Sequence, residues 1–272
     1  MHYYRRVREP KMKLDSTLDF QVPIEILERN LCKHGFEIEH YQIDTSGYID
    51  YLKSADYHTF GHYQRAGKAP NFSEKSLEHY LAAKLLNLSE DDVFIDIACA
   101  DSPAAEIYHK LYGCSVYKQD LIFPDGLCGN IIGGNACNMP LPDGFATKMA
   151  LHCSFEHFEQ NSDIGFIREA GRVLRKGGLM CIVPLYLSTQ YVILTDPVCL
   201  SRDDMISESN AVLCCVKGWR NRHGRYYAVP NLVNRIRNNL GSLKMTIFII
   251  QNEKEISSRC YVKFAALFRR LA

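Results

Sequence analysis

Val93-Phe94-Ile95-Asp96-Ile97-Ala98-Cys99-Ala100-Asp101-Ser102-Pro103 is the stretch that decides the fold of this 272-residue chain. Its first six residues form a short apolar run of strand length, which reads as a strand buried on both faces. Small residues follow. Ser102-Pro103 then opens a helix, the serine as its cap and the proline at the first helical position, where a missing N–H is no loss. A tight turn of small residues at such a corner lets a ligand approach the backbone and aims free N–H groups and the positive helix pole at a negative group. The same corner can also serve packing alone, as it does in many doubly wound folds.

Working outward, Ser73 caps a helix whose Leu77, Tyr80, Leu81, Leu85 and Leu88 share one face. Downstream, the spacing predicts a helix to about Tyr112 and strands at 115–118, 130–132 and 147–152. A helix at 162–174 follows, closed by Arg175-Lys176-Gly177-Gly178, and then a strand at 179–185. Alternating strands and helices predict an α/β, Rossmann-like doubly wound sheet, mostly parallel. After Ser188 the pattern is unreadable until a helix near 232–240. Two strand candidates, 244–251 and 260–267, are too close for a crossover helix and should form an antiparallel terminal hairpin. Residues 1–70 do not share this rhythm. Ile24 to Lys33 reads as helical, 36–43 as extended, and 48–63 is rich in Tyr and His, so the division expected is an N-terminal accessory or lid region at 1–70 and an α/β domain at 71–272.

Composition excludes several classes. Thirty-two Lys and Arg against 31 Asp and Glu leave a formal charge of +1, so no general excess for nucleic-acid binding is present. No apolar run approaches the roughly 18 residues needed to span a bilayer, and no hydrophobic signal stretch follows the basic N-terminal residues. A cytoplasmic protein acting on a small molecule, with neither nucleic-acid nor membrane partner, is the expectation. Eleven scattered cysteines without a C-x-x-C pair suit a reducing compartment and buried packing, and no metal site is expected.

Asp120 lies 24 residues after Asp96, just past the second strand, where doubly wound folds place the acid that takes ribose hydroxyls. With that acid in place the chain resembles the class I S-adenosylmethionine-dependent methyltransferases, in their small-molecule, type 11-like branch. The family's glycine-rich first motif corresponds to Asp96, Ala98, Cys99, Ala100 and Ser102, with Ala, Ala and Ser where glycines usually stand. Asp120-Leu121 resembles the ribose acid and its neighbour. Gly134-Asn135-Ala136-Cys137 resembles the adenine segment, with Asn135 for the usual Asp. Phe155-Glu156-His157-Phe158 and Glu169 through Gly178 resemble the stretch after the fourth strand and the helix with its Gly-Gly turn. The resemblance spans about 73–185 and implies S-adenosylmethionine as cofactor and S-adenosylhomocysteine as product. Ala and Ser add a methyl or hydroxymethyl to the turn and exclude glycine-only angles, while Asn135 keeps an acceptor oxygen for adenine.

Methyl transfer needs the acceptor held in line near the methyl carbon and water kept out. His152, Glu156 and His157 follow the fourth strand at the carboxyl edge and are the candidate catalytic groups, His152 also as a cofactor contact, although Glu-His there also serves capping and packing. The cluster at 57–65 supplies His58 and His62 as candidate substrate contacts and Tyr63 as a cofactor contact, under a lid that orders at 48–70 when cofactor binds, or else seals the accessory region. Lys217, Arg220, Arg222, His223, Arg225, Arg235 and Arg237 gather cations. They form either a solvated loop or, through Arg222 and Arg225, a mouth for an anionic acceptor. That mouth and a likeness to methyltransferases of glycan assembly favour a sugar or nucleotide-linked sugar. Two alternatives stand beside this reading: a non-catalytic or regulatory protein on the same scaffold, and an NAD-dependent oxidoreductase, whose three turn glycines are missing here.

Overall fold

The computed structural model describes residues 23–61, 71–200 and 208–272. In chain order these form α1 (Ile24–Lys33), β1 (Glu37–Tyr41), α2 (Thr45–Ala55), α3 (Phe72–Leu86), β2 (Val93–Ile97), α4 (Ala104–Tyr112), β3 (Ser115–Asp120), β4 (Gly126–Cys128), β5 (Ile131–Gly133), β6 (Ala146–His152), α5 (Ser162–Val173) and β7 (Leu174–Val183). There follow β8 (Val192–Thr195), β9 (Val212–Cys215), β10 (Gly224–Tyr226), α6 (Val229–Arg235), β11 (Leu243–Ile250), α7 (Glu253–Ile256) and β12 (Phe264–Arg270).

Nine strands make one sheet in the order β1-β11-β12-β7-β6-β2-β3-β5-β4. The run β5-β3-β2-β6-β7 is parallel throughout, so the expected Rossmann-like α/β sheet is what forms. β11 and β12 pair antiparallel from Leu243 opposite Arg270 to Ile249 opposite Phe264, as the short connection between them requires. β12 inserts between β7 and β11, a placement that periodicity does not reveal.

Side chains alternate across the strands, and the two faces feed two cores. Ile95, Ile97, Met149, Leu151, Met180 and Ile182 face one layer, with α5 and α6. Phe94, Ala150, Cys181 and Val183 face the other, under α3, α4 and the tyrosines of α2. α3 is buried on nearly every side, at ten of its fifteen residues, which is why it lacks a strong amphipathic pattern.

Two departures matter for the site. Residues 24–41, expected in an accessory region, join the α/β core: Leu27 and Leu31 of α1 are buried in the first cluster, and β1 pairs in parallel with β11 as an edge strand. The interval that was unreadable after Ser188 holds a three-stranded sheet, β10-β8-β9, with its own small core of Val192, Leu194, Cys214, Val216 and Tyr226. Each of these strands has only three or four residues, too few for a period to show.

Candidate active site

The turn after β2 adopts the conformation that glycine would favour, without glycine. Ala98 and Ala100 sit at φ of 51° and 46°, in the left-handed region, at a cost of about 1 kcal/mol or more each. Backbone hydrogen bonds hold them there. The Ala98 N–H donates to Gln119 Oε1 at 3.2 Å, the Cys99 N–H to the Gln119 carbonyl at 3.1 Å and the Ala100 N–H to Asp120 Oδ2 at 2.7 Å. Gln119 also donates through Nε2 to the Gly134 carbonyl at 2.6 Å, so one side chain ties the turn to the segment carrying Asn135 and Ala136. No motif signalled Gln119; its role depends on the parallel register of β2, β3 and β5.

Asp120 is half-buried, and its second oxygen accepts the Ile122 N–H at 3.1 Å. Each carboxylate oxygen thus takes one backbone donor and keeps lone-pair capacity for a hydroxyl. Beside it Leu121 and Ile122 are 73% and 68% exposed, an apolar ledge next to a ribose-type acid. Across the ledge Ala136 is buried, and Asn135 Oδ1 accepts the Cys137 N–H at 2.9 Å, closing a turn that occupies part of the oxygen expected to meet adenine. α4 starts one residue later than the sequence suggests, with Pro103 and not Ser102 at its N-cap; Ser102 Oγ still accepts the Ala104 N–H at 3.2 Å, and the Cys99 side chain is buried in the turn. An acid with spare acceptor capacity, an apolar ledge and a closely held backbone turn fit a nucleoside with a charged tail, the shape of S-adenosylmethionine.

His152 does not face an acceptor. Strand alternation places it and Asp96 on the same face, where His152 Nδ1 lies 3.0 Å from Asp96 Oδ1 and Nε2 lies 2.9 Å from the Tyr108 hydroxyl, with the ring only 3% exposed. The Tyr108 hydroxyl in turn donates to the His79 carbonyl at 2.7 Å. His79 contacts the Tyr57 hydroxyl at 2.8 Å, and burial, then His152, hold its pKa well below the ordinary value. This network ties β2 and β6 to α3 and α4, with Asp96 Oδ2 left without a partner among the described residues, and His152 does not line the cavity beyond β6. Asp96 is likewise fully buried and supports the turn from below.

Glu156 and His157 open instead on a cavity of about 310 Å³. It lies past the carboxyl end of β6, which is the direct neighbour of β2, and Ser154 Oγ reaches the Ile97 carbonyl at 3.4 Å, so cavity and turn share one edge of the sheet. Cys153, Tyr186, Trp219, Tyr226 and Tyr261 form much of the wall, with Lys75 from α3. Cys153 sits at φ 49°, and its thiol points to Glu156 Oε1 at 3.1 Å and the Tyr186 hydroxyl at 3.3 Å. Burial, then Glu156, push that thiol's pKa well up, so it is not a thiolate nucleophile at neutral pH. Lys75 Nζ lies 3.1 Å from both Glu78 oxygens, and burial pushes Glu78 up to about 7 against the pull of Lys75. Glu156 is 5% exposed, and its Oε2 has no hydrogen-bond partner among the described residues. Lys75, Tyr186, Trp219, Tyr226 and Tyr261 were not legible as site residues, since only tertiary structure brings them together.

The arginine mouth is not there. Arg225 is fully buried, paired with Asp163 at 3.0 Å and with Glu208, and donates to the Phe158 carbonyl at 2.7 Å. Arg222 clasps Glu159 through two bonds of 2.8 and 2.7 Å, and Arg235 pairs with Asp163 at 2.7 Å. These cations are neutralised by the protein's own carboxylates, which the linear run could not show. His58 stands at the surface, 72% exposed, 2.7 Å from Asp56. Tyr48, Tyr51 and Tyr57 are buried in the second core. His62 and Tyr63, expected substrate and cofactor contacts, lie outside the described residues, as does the rest of 62–70.

Residues 95–182 match the family model described as a methyltransferase domain. A search of curated proteins gives no match. Among solved structures, the 1,6-didemethyltoxoflavin N1-methyltransferase of Burkholderia thailandensis aligns over 87% of this chain and 94% of its own at 11% identity and a TM-score of 0.50. A geranyl diphosphate C-methyltransferase of Streptomyces coelicolor aligns over 91% and 92% at 12% identity and 0.47. An S-adenosylmethionine-dependent methyltransferase of Methanosarcina mazei aligns over 68% and 94% at 14% identity and 0.44. The first likeness carries the fold and says nothing of this chain's substrate; the other two, below 0.5, carry neither.

Proposed function

We propose that this chain, whose residues 95–182 form a class I methyltransferase domain, transfers a methyl group from S-adenosylmethionine to a compact small molecule held in the cavity beyond β6. The observation that carries the reading is the shared edge: the turn at 96–102 with Asp120 lies on β2 and β3, and the cavity opens from the end of β6 next to them. S-adenosylmethionine supplies an electrophilic methyl carbon on a sulfonium. The protein supplies position and dryness. Asp120 holds the ribose, Leu121 and Ile122 cover the adenine, and the turn at 98–100 receives the amino-acid end. A volume of about 310 Å³ is near the lower end of ligand sites, about 300–1,000 Å³. That size and the internally paired arginines favour a compact acceptor over a nucleotide-linked sugar.

No helix among the described residues is long and apolar enough to cross a membrane. We place the protein in the cytoplasm on its eleven cysteines, for which the described residues form no disulfide. The test is thermal unfolding with S-adenosylhomocysteine and with NAD. A ligand bound only by the native state raises the midpoint, by about 2.7 kcal/mol of stability at a hundredfold excess over Kd. S-adenosylhomocysteine should raise it and NAD should not; the reverse would favour a dehydrogenase, and no response to either a non-catalytic scaffold.

A further inference from the structure

We infer that the methyl acceptor is a compact aromatic bearing a ring N–H or phenolic O–H, docked by that hydrogen on Glu156 Oε2 and flanked by the aromatic wall of the cavity. This rests on the methyltransferase reading and adds the acceptor's chemical class to it.

Seven described side chains bury a polar atom that has no hydrogen-bond partner among the described residues, and of these Glu156 is the one that lines the cavity. Its carboxyl is almost wholly buried at the cavity wall, Oε1 accepts the Cys153 thiol, and Oε2 accepts nothing among the described residues. A buried acceptor left without a donor is costly, and native structures keep one where a water, an ion or a ligand completes it or where it serves catalysis. The local cation does not answer it, because Lys75 is engaged by Glu78. His157 Nε2 stands 3.6 Å from Oε1, beyond a hydrogen bond, and its Nδ1 is held by the His223 carbonyl. The partner that fits Oε2 is therefore a donor arriving with the substrate.

The walls say what carries that donor. Trp219 tilts against His157 with ring centroids 5.9 Å apart, and Tyr186 lies 4.8 Å from Tyr226 and 6.5 Å from Tyr261, the latter ring nearly parallel to it. Flat aromatic faces with one buried acceptor suit a flat ring system with one in-plane donor. Lys75 in the same wall is already paired with Glu78, and Asn71 and Asn221 there are neutral.

This arrangement also accounts for the proton. As the acceptor nitrogen or oxygen bonds to the methyl carbon, the S–CH3 bond breaks and its electron pair returns to sulfur, leaving a neutral thioether. The acceptor's hydrogen passes to Glu156 Oε2. Charge balances, because one sulfonium and one carboxylate become one thioether and one carboxylic acid, and no further reactant is needed.

The test uses matched fragments that differ in the donor alone: indole against benzofuran, and 2-naphthol against naphthalene. Their binding to the full chain is followed by ligand-observed NMR in the presence of S-adenosylhomocysteine. In the native protein the donor-bearing member should bind about 10- to 100-fold more tightly, since a site built around a buried acceptor rejects the analogue that cannot satisfy it. Indole alone showing the preference makes the acceptor a nitrogen, 2-naphthol alone an oxygen. Glu156→Leu should abolish the preference, and Glu156→Gln should shrink it severalfold. S-adenosylhomocysteine affinity in the same samples should stay within about twofold, which reports intact folding and a separate cofactor site. Equal binding within both pairs, no binding by any fragment, or a preference that survives in both variants overturns the inference while leaving the methyltransferase reading in place. Failure of the native protein to bind S-adenosylhomocysteine would instead remove the reading beneath it.

Discussion

The cofactor turn and the acceptor cavity meet at one edge of the sheet but are made of different materials. The turn is backbone: the N–H groups of Ala98, Cys99 and Ala100 are placed by Gln119 and Asp120, all within a 25-residue run from β2 to β3. The cavity is side chain, assembled from the start of α3, the loop after β6, the loop after β7, the segment that runs into β10, and the stretch before β12. A site made from one local crossover is fixed by the fold itself and tolerates few changes. One assembled from five separate segments can alter its contents residue by residue. The contrast explains why the two ends should respond differently to mutation.

The sharpest way to break it concerns the ion cluster under the β8–β10 sheet. Arg225 was expected at a substrate mouth, yet it holds the insert to Asp163 and Glu208 from inside. Arg225→Ala should therefore destabilise the protein by about 3–5 kcal/mol, because it leaves buried carboxylates without their cation. Denaturant unfolding would show this as a lowered midpoint. An unchanged midpoint would return Arg225 to the substrate side.

On the cofactor side, Asp120→Ala removes both the proposed ribose acceptor and the partner of the Ala100 N–H. Charge-assisted hydrogen bonds of this kind are worth roughly 1.5–3 kcal/mol, so S-adenosylhomocysteine should bind about one to two decades more weakly in calorimetry. Equal affinity would move the nucleoside elsewhere.

Under the cavity, Glu74 and Glu78 lie one turn apart on α3, both buried. Burial and then repulsion from Glu78 raise Glu74 from 4.5 to about 8. Since the folded pKa is the higher one, this group's contribution is full below about pH 4.5 and is lost as pH climbs toward about 8. Stability should thus fall between pH 5 and pH 8, and Glu74→Gln should flatten the decline by about 1–3 kcal/mol. A parallel decline in the variant would show that Glu74 titrates normally.

The smallest effect belongs to the turn itself. Ala100→Gly relieves a left-handed alanine but frees the unfolded chain, so the net gain should be no more than about 1 kcal/mol, with cofactor affinity within about threefold. A marked loss of affinity would mean that the alanine methyl touches the cofactor.

How far the sequence could be read follows the same division. The strand at 93–97, the turn, Asp120 and the terminal hairpin were legible because period, caps and spacing are local properties. Glu156 and His157 were singled out by their position after β6, and both line the cavity. His152 lay at the same edge, but only the β2–β6 register shows that it faces Asp96. Arg222 and Arg225 misled because a run of cations carries no record of its partners: Glu159, Asp163 and Glu208 are 17 to 63 residues away, and nothing in their own neighbourhoods marks them. The membership of 24–41 in the sheet was hidden for the same reason, since β1 pairs with a strand some 200 residues later.

A crystal structure of the complex with S-adenosylhomocysteine tests the central claim, that one sheet edge joins a backbone-built cofactor site to a side-chain-built acceptor cavity. Ribose hydroxyls should lie on Asp120, adenine against Leu121 and Ile122, and the sulfur should turn toward Cys153 and the cavity mouth. A nucleoside bound away from Asp120, or a sulfur facing away from the cavity, would contradict it.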